Sequence, residues 1–459
     1  MRNLLRREPG FYKRLMALAL PMMLQNIITN ALGFIDTFMV GLVGSNELSA
    51  VTAANTPIFL LQACVFGLMS GLMVLVTQYW GQQDMESINR CMGVILYIAF
   101  GLSTAAALLL FFFPEQVMSV VTNNPLLIEL GAPYLKIVGI GYVFNAPSSV
   151  YIGMQRSTEN PVLGTKVFCC SMLLNTFLNY VLIFGKIGAP ALGIIGAALA
   201  TTLSRVAEFL IVIAYAARNH RVPLMPRALL RPGIEYLRRT LRYSDPVVCN
   251  EVLWGAGFSM VTVIMGHMAI SADMLAAYAV MGNVDKFAVV ACIGVGNASC
   301  VIVGKRIGEG APREEVYRLG VSLLVTAVLC GAAVSLLLII LLPTLFIPVV
   351  FPLFNLSPQA VSIATMLCVA YIVVMPTRSF DVANVTGVLR AGGDTRVAAL
   401  LDNLPLWLGT LPVLALLALV LDAPLPLICA ATQMETLAKF PLGILRLRSR
   451  KWINDVTVT

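Results

Sequence analysis

The chain has 459 residues, 59% of them hydrophobic and only 12% charged, with a mean hydropathy of +0.87. Soluble chains carry about 25% charged residues, so too little polar surface is available to face water, and most of this chain must face lipid. The formal net charge of +8 sits in alternate loops, as the bias of Lys and Arg toward cytoplasmic loops requires, and no nucleic-acid partner is needed to explain it.

A bilayer-crossing helix takes about 20 apolar residues, and the hydropathy divides into about twelve such segments. The first set is 14–43, 48–79, 91–113, 127–154, 161–184 and 191–216; the second is 241–268, 273–304, 315–342, 359–389, 396–420 and 425–445. These runs are too long for strands and lack barrel alternation. The expected fold is an all-α polytopic membrane protein. The basic start (Arg2, Arg6, Arg7, Lys13, Arg14) leads into a long first segment with no clear cleavage site, so this helix is expected to be retained.

The second set repeats the first. Pro21 aligns with Pro246, Gly41 with Gly266, Gly67 with Gly294 and Gly81 with Gly308, and more loosely Gly153–Arg156 with Gly387–Arg390. Two copies of even span number share one orientation, the plan of parallel-repeat transporters. We expect two pseudo-symmetric six-helix bundles: an N-terminal lobe at 1–216, a basic cytoplasmic linker at 217–240 and a C-terminal lobe at 241–459. Basic residues at 218–242, 305–318 and 446–451 place both termini in the cytoplasm of a cell inner membrane. Pro21, Pro147, Pro246 and Pro376 fall inside segments and are candidate kinks.

The ten cysteines show no metal-ligand spacing and read as small buried hydrophobes. No cofactor and no enzymatic motif is evident, neither DDxxD nor a His cluster. What asks for explanation is the ionisable set inside the spans: Asp36, Glu208, Glu251, Asp285, Lys286, Arg378, Asp381, Asp402 and Glu435. Each costs roughly 2.5–3.5 kcal/mol at the bilayer centre on insertion scales.

Counting from Arg242 and from Arg390, taken as cytoplasmic markers, Glu251 and Asp381 share a depth of about 13 Å. Two carboxylates at one depth suit a shared cation or proton. Arg378, one turn from Asp381, is a candidate partner for it and, with Met22 and Met23, a candidate lining of a substrate cleft. In the first half, Asp36 lies near an outer helix end, Asn175 and Asn179 share a face, and Thr201 and Thr202 follow on the next helix. This oxygen-rich set suits sodium, hydrogen bonding to a protonated carboxyl, or interhelical bonding. Glu208 with Arg205, and Glu435 with Lys439, have the spacing of structural pairs; Asp402 is left open. The repeat does not duplicate these acids, since Asp36 aligns with Val261, Glu251 with Asn26 and Asp381 with Pro147.

Several runs carry a further resemblance: FIDTFMVG at 34–41, LNTFLNYVLIFG at 174–185, GAALATT at 196–202, Asn250-Glu251 after Pro246, and SFDVANVTGVLRAGGDTR at 379–396. In order and spacing the chain resembles the multidrug and toxic compound extrusion (MATE) family, NorM-like branch, of the MOP flippase superfamily. The resemblance implies a monomeric antiporter that exports amphipathic, often cationic, organic compounds by alternating access, with Na+ or H+ as the coupling ion. It implies coupling roles for Asp36, Asn175, Asn179, Thr201, Thr202, Glu251 and Asp381, with Na+ held at Glu251, Asp381 or Asp36. The chain departs from some relatives at Asn179, where they carry an acid. A flippase for a lipid-linked precursor is the alternative within the superfamily.

Overall fold

The computed structural model describes residues 10–354 and 356–458. Arg2, Arg6 and Arg7 lie outside the described residues. No strand occurs among the described residues. In chain order the helices are α1 Phe11–Gly41, α2 Ser45–Gln82, α3 Met85–Phe112, a short α4 Pro114–Val121, α5 Pro125–Ser157, α6 Val162–Phe184, α7 Ile194–Arg218 and a short α8 Pro226–Leu230. They continue with α9 Ile234–Gly266, α10 Ser271–Ala288, α11 Val290–Gly308, α12 Arg313–Leu353, α13 Pro358–Leu389, α14 Thr395–Val420, α15 Leu425–Ala431 and α16 Met434–Arg448.

Eleven of these are long and apolar enough to cross a membrane, and the chain is an all-α multi-pass membrane protein. The expected span at 425–445 is divided between α15 and α16 by a turn at Thr432-Gln433, and the expected span at 273–304 is broken at Val289.

Local chemistry sets the helix starts. Asp84 caps α3 by accepting from the Ser87 amide at 3.0 Å. Asn124 and Ser357 cap α5 and α13 in the same way, each followed by a proline at the first helical position. Asn, Asp and Ser favour these positions because a side-chain oxygen satisfies an amide that the helix leaves free.

Two compact units are present: Leu24–Val248, and Met1–Met23 together with Cys249–Thr459. The cuts differ from the lobe boundaries read at 216 and 241. They fall two residues beyond Pro21 and two beyond Pro246, at equivalent points of the repeat. α1 therefore supplies its first turns to one unit and the remainder to the other, and α9 does the converse.

The glycines of the repeat explain this division. A Cβ on Gly67 would stand 2.7 Å from the Val248 Cα, within the first unit. A Cβ on its counterpart Gly294 would stand 2.3 Å from the Met23 Cγ, within the second. Met23 and Val248 are themselves equivalent positions. Membrane helices approach closely where side chains are small, and each unit uses the same contact.

The basic segment 217–240 belongs wholly to the first unit and is strapped along α3. Asn89 donates to the Pro223 carbonyl at 3.1 Å and accepts from the Met225 amide at 3.1 Å. Tyr97 donates to the Leu230 carbonyl at 3.0 Å and Arg90 to that of Pro232 at 3.2 Å.

In the second unit the chain after α16 turns back on the helix ends. Trp452 is fully buried, its indole donating to the Leu447 carbonyl at 3.1 Å. The Asn454 amide donates to the Gly392 carbonyl at 3.1 Å, and Arg446 holds Asp394 through two hydrogen bonds of 2.6 and 3.0 Å.

Candidate functional site

The first unit carries one continuous polar chain. α6 turns Asn175 and Asn179 to the same buried face, as their i, i+4 spacing dictates. Asn179 Nδ2 donates both its hydrogens, to Asp36 Oδ1 on α1 at 2.6 Å and to Asn175 Oδ1 at 3.0 Å. Asn175 Nδ2 then reaches Thr201 Oγ1 on α7 at 3.4 Å. Asn179 Oδ1 is buried and has no donor. The set thus leaves one buried acceptor without a donor, Asn179 Oδ1, on the same side chain that holds the Asp36 carboxylate.

Thr202 is not part of it. Its hydroxyl donates to the Ile137 carbonyl on α5 at 2.9 Å, beside Gly141, so it bonds helix to helix. Deeper on α7, Arg205 pairs with Glu208 at 2.7 Å, and Asn145 donates to the same carboxylate at 3.2 Å.

The second unit distributes its charges differently from the sequence reading. Glu251 on α9 accepts from Arg390 at 2.9 Å, and Arg390 is only 2% exposed. Arg390 is therefore a buried partner, close to the Gly392–Gly393 turn that follows α13. Arg378 does not pair with Asp381. It reaches Asp285 on α10 at 3.2 Å and lies over the Tyr371 ring at 5.3 Å. Met22 is fully buried, and Met23, half-buried, packs against Gly294.

Asp381 is itself 8% exposed, and its Oδ2 has no hydrogen-bond partner. It sits on α13 just before the ladder widens to a π-helical stretch at Ala383–Leu389, a local irregularity that recurs at functional sites. The charged groups within electrostatic reach of it are Lys439, Asp402, Glu435 and Arg378. Lys439 on α16 contacts Asp402 on α14 at 2.8 Å and Glu435 at 3.6 Å. Asn250 donates to Asp402 at 2.9 Å, and Asn403 donates to Asn250 at 2.8 Å.

With this geometry in hand, the comparisons with known proteins become informative. The MatE family model matches residues 21–181 and 246–402, one match over each half of the repeat. The chain belongs to the MatE family. It is a membrane transporter. The multidrug resistance protein MdtK of Edwardsiella ictaluri is 28% identical over 416 residues, covering 89% of this chain and 88% of that one. A Bradyrhizobium diazoefficiens protein named "Probable multidrug resistance protein NorM" is 32% identical over 326 residues, 69% of this chain and 67% of that one. Among solved structures, a multidrug resistance MATE family transporter of the MOP superfamily superposes with a TM-score of 0.85 at 18% identity, over 98% of both chains, which establishes the shared fold.

Within this MatE transporter, Asp36, Asn175, Asn179 and Thr201 of the set grouped from the sequence are joined by hydrogen bonds, and Thr202 of that set is not among them. It missed the Asp402–Lys439 pair and the partner of Arg390. The available signal was that Asp402 lay mid-span with no charge at helical spacing, so its counter-ion had to come from another helix.

Proposed function

We propose that this MatE transporter is a cation-coupled antiporter that exports amphipathic, often cationic, organic compounds from the cell, using inward Na+ or H+. The observation that carries this reading is the Asp36–Asn179–Asn175–Thr201 chain, with Asn179 Oδ1 buried and without a donor. A carboxylate held this way binds a small positive ion in one conformation and releases it in another, and that differential affinity is what couples an ion gradient to conformational change. The names of the MdtK and NorM relatives support multidrug substrates. The basic loops support a multi-pass protein of the inner membrane with cytoplasmic termini, working as a monomer.

The test is efflux of cationic dyes from proteoliposomes with sodium and pH gradients imposed separately. Efflux driven by either gradient supports the reading. Efflux driven by neither, across a panel of dyes, refutes it.

A further inference from the structure

We propose that the strap at residues 223–234 is an interfacial anchor that dips into one leaflet and, with Arg238, holds the headgroups of anionic phospholipids at Arg227 and Arg231.

The path of the strap along α3 is the starting point, because its contacts run down the helix and back. Asn89 meets Pro223 and Met225, Tyr97 donates to the Leu230 carbonyl, and Arg90 donates to that of Pro232. A Cβ on Gly93 would stand 2.2 Å from the Leu229 carbonyl oxygen, so strap and helix meet backbone to backbone there. Pro223 and Pro232 therefore mark the rims and Leu229-Leu230 the tip. α3 is long and apolar enough to span and carries no charged residue from Cys91 to Phe112. Gly93 and Tyr97 lie inside that run, about 5 and about 10 Å along the axis beyond Arg90. Interfacial segments sit about 5–10 Å into the boundary of headgroups and acyl chains, which is the depth of this tip.

The side chains suit that depth. Val222 and Ala228 are buried and fix the strap to its unit, while Leu230 is 62% and Ile234 64% exposed. The Arg231 amide donates to the Arg227 carbonyl at 3.0 Å, a single helical turn that sets both arginines and Leu230 on one side. Arg238 follows Ile234 by one turn of α9. Arg227, Arg231 and Arg238 are exposed, and none makes an ion pair among the described residues. The neighbouring acids are taken, Glu235 by Arg239 at 3.0 Å and Glu86 by Arg90 at 2.6 Å. Unpaired guanidinium groups beside bare apolar side chains have the complementarity of a phospholipid, with phosphate for the forked donors and acyl chain for Leu230 and Ile234. A zwitterionic headgroup carries its own cation, so the anionic class is the one selected.

The experiment is hydrogen exchange at residues 223–238 of the purified full-length protein in phosphatidylcholine nanodiscs, with and without phosphatidylglycerol. Wild type should exchange at least about fivefold more slowly in the anionic bilayer, the factor equivalent to about 1 kcal/mol for one arginine at a charged surface. R227Q/R231Q should lose most of that protection. R448Q/K451Q, which removes the same charge from exposed positions near the C-terminus, should keep it. If R227Q/R231Q does not fold, R238Q takes its place and should lose part of the protection. Equal exchange of wild type in the two bilayers, or equal loss in the strap and C-terminal variants, overturns the proposal. The same protection from inorganic phosphate in phosphatidylcholine discs would assign the arginines to a free anion, and protection in detergent that rises with protein concentration would assign the face to a second copy. Either result also overturns it.

Discussion

Arg390 donates to Glu251 at 2.9 Å, and the repeat places a counterpart of this contact in the other unit, where Arg156 donates to Gln25 at 2.8 Å. Arg156 is equivalent to Arg390, and Gln25 to Asn250, the residue before Glu251. Both units therefore hold a buried guanidinium from α5 or α13 against the helix that follows the repeated proline. Only one of them meets it with a carboxylate. The arginine is common to both copies of the repeat, and the carboxylate is present in one of them.

Removing one partner of a buried ion pair leaves the other charge uncompensated and costs about 3–5 kcal/mol. Glu251 keeps 18% exposure, so the lower end, about 3 kcal/mol, is expected for Glu251→Gln. The double variant E251Q/R390M should recover most of that stability and none of the transport. Denaturation and dye efflux on the same preparations separate the two effects. A double variant as unstable as E251Q would show that the pair is not what links them.

Asp381 behaves oppositely. Its side chain is buried and its Oδ2 has no donor, so neutralising it relieves the cost of burying a charge without orphaning a hydrogen-bond donor. Asp381→Asn should fold at least as stably as wild type while losing ion-coupled efflux. A destabilised D381N would mean that its charge is needed to balance Lys439.

In the first unit, Asn179→Ala removes the donor of the 2.6 Å bond to Asp36 and the link to Asn175 together. Interhelical hydrogen bonds in membranes average about 0.6 kcal/mol, so the loss of stability should stay near 1 kcal/mol. Coupled transport should fall far more than that figure implies, because the carboxylate loses its orientation. Asn179→Asp, which restores an oxygen but not the donor, should change the dependence of efflux on the driving ion. Equal efflux in wild type and N179A under each gradient would remove the chain from the mechanism.

What the sequence could show of this site follows from what periodicity encodes. Asn175 and Asn179 share a face because they are four apart, and Glu435 with Lys439 for the same reason; both relations are real in the structure. Lys439 with Asp402, Arg390 with Glu251 and Arg378 with Asp285 are contacts between helices far apart in the chain. No spacing within one helix predicts which neighbour it will face. Arg390 follows a long apolar run, where an arginine usually marks the membrane boundary, and the run does not reveal that the residue is buried against Glu251. In the twelfth segment the hydropathy of 425–445 does not register the turn at Thr432-Gln433, which divides it into two helices.

The glycine contacts allow a comparison within one molecule. A Cβ at Gly67 meets backbone, the Val248 Cα at 2.7 Å, whereas a Cβ at Gly294 meets the flexible Met23 side chain at 2.3 Å. Methionine can swing aside and backbone cannot. Gly67→Ala should therefore cost more stability than Gly294→Ala, although the two positions are equivalent in the repeat and the nominal overlap is larger at Gly294. Thermal unfolding in matched detergent checks the order, and the reverse order would imply that α9 yields near Val248 more readily than Met23 does.

The C-terminal segment offers the last test. Trp452 is completely buried, and a Cβ on Gly392 would stand 2.0 Å from its carbonyl oxygen. Gly392 lies in the turn joining α13 to α14, the helices that carry Asp381 and Asp402. The Trp452 ring also covers Gly320 on α12, where an added Cβ would lie 3.2 Å away. The segment thus packs against α12 and against the turn between the two helices that carry Asp381 and Asp402. Replacing a buried tryptophan by alanine costs about 3–5 kcal/mol, and Trp452→Ala should fall in that range. Gly392→Ala should lift the segment while leaving the indole intact, so it should lower stability and raise hydrogen exchange at residues 449–458 together. Exchange in G392A no faster than in wild type would show that the segment is held by Trp452 and the Arg446–Asp394 pair without help from the turn.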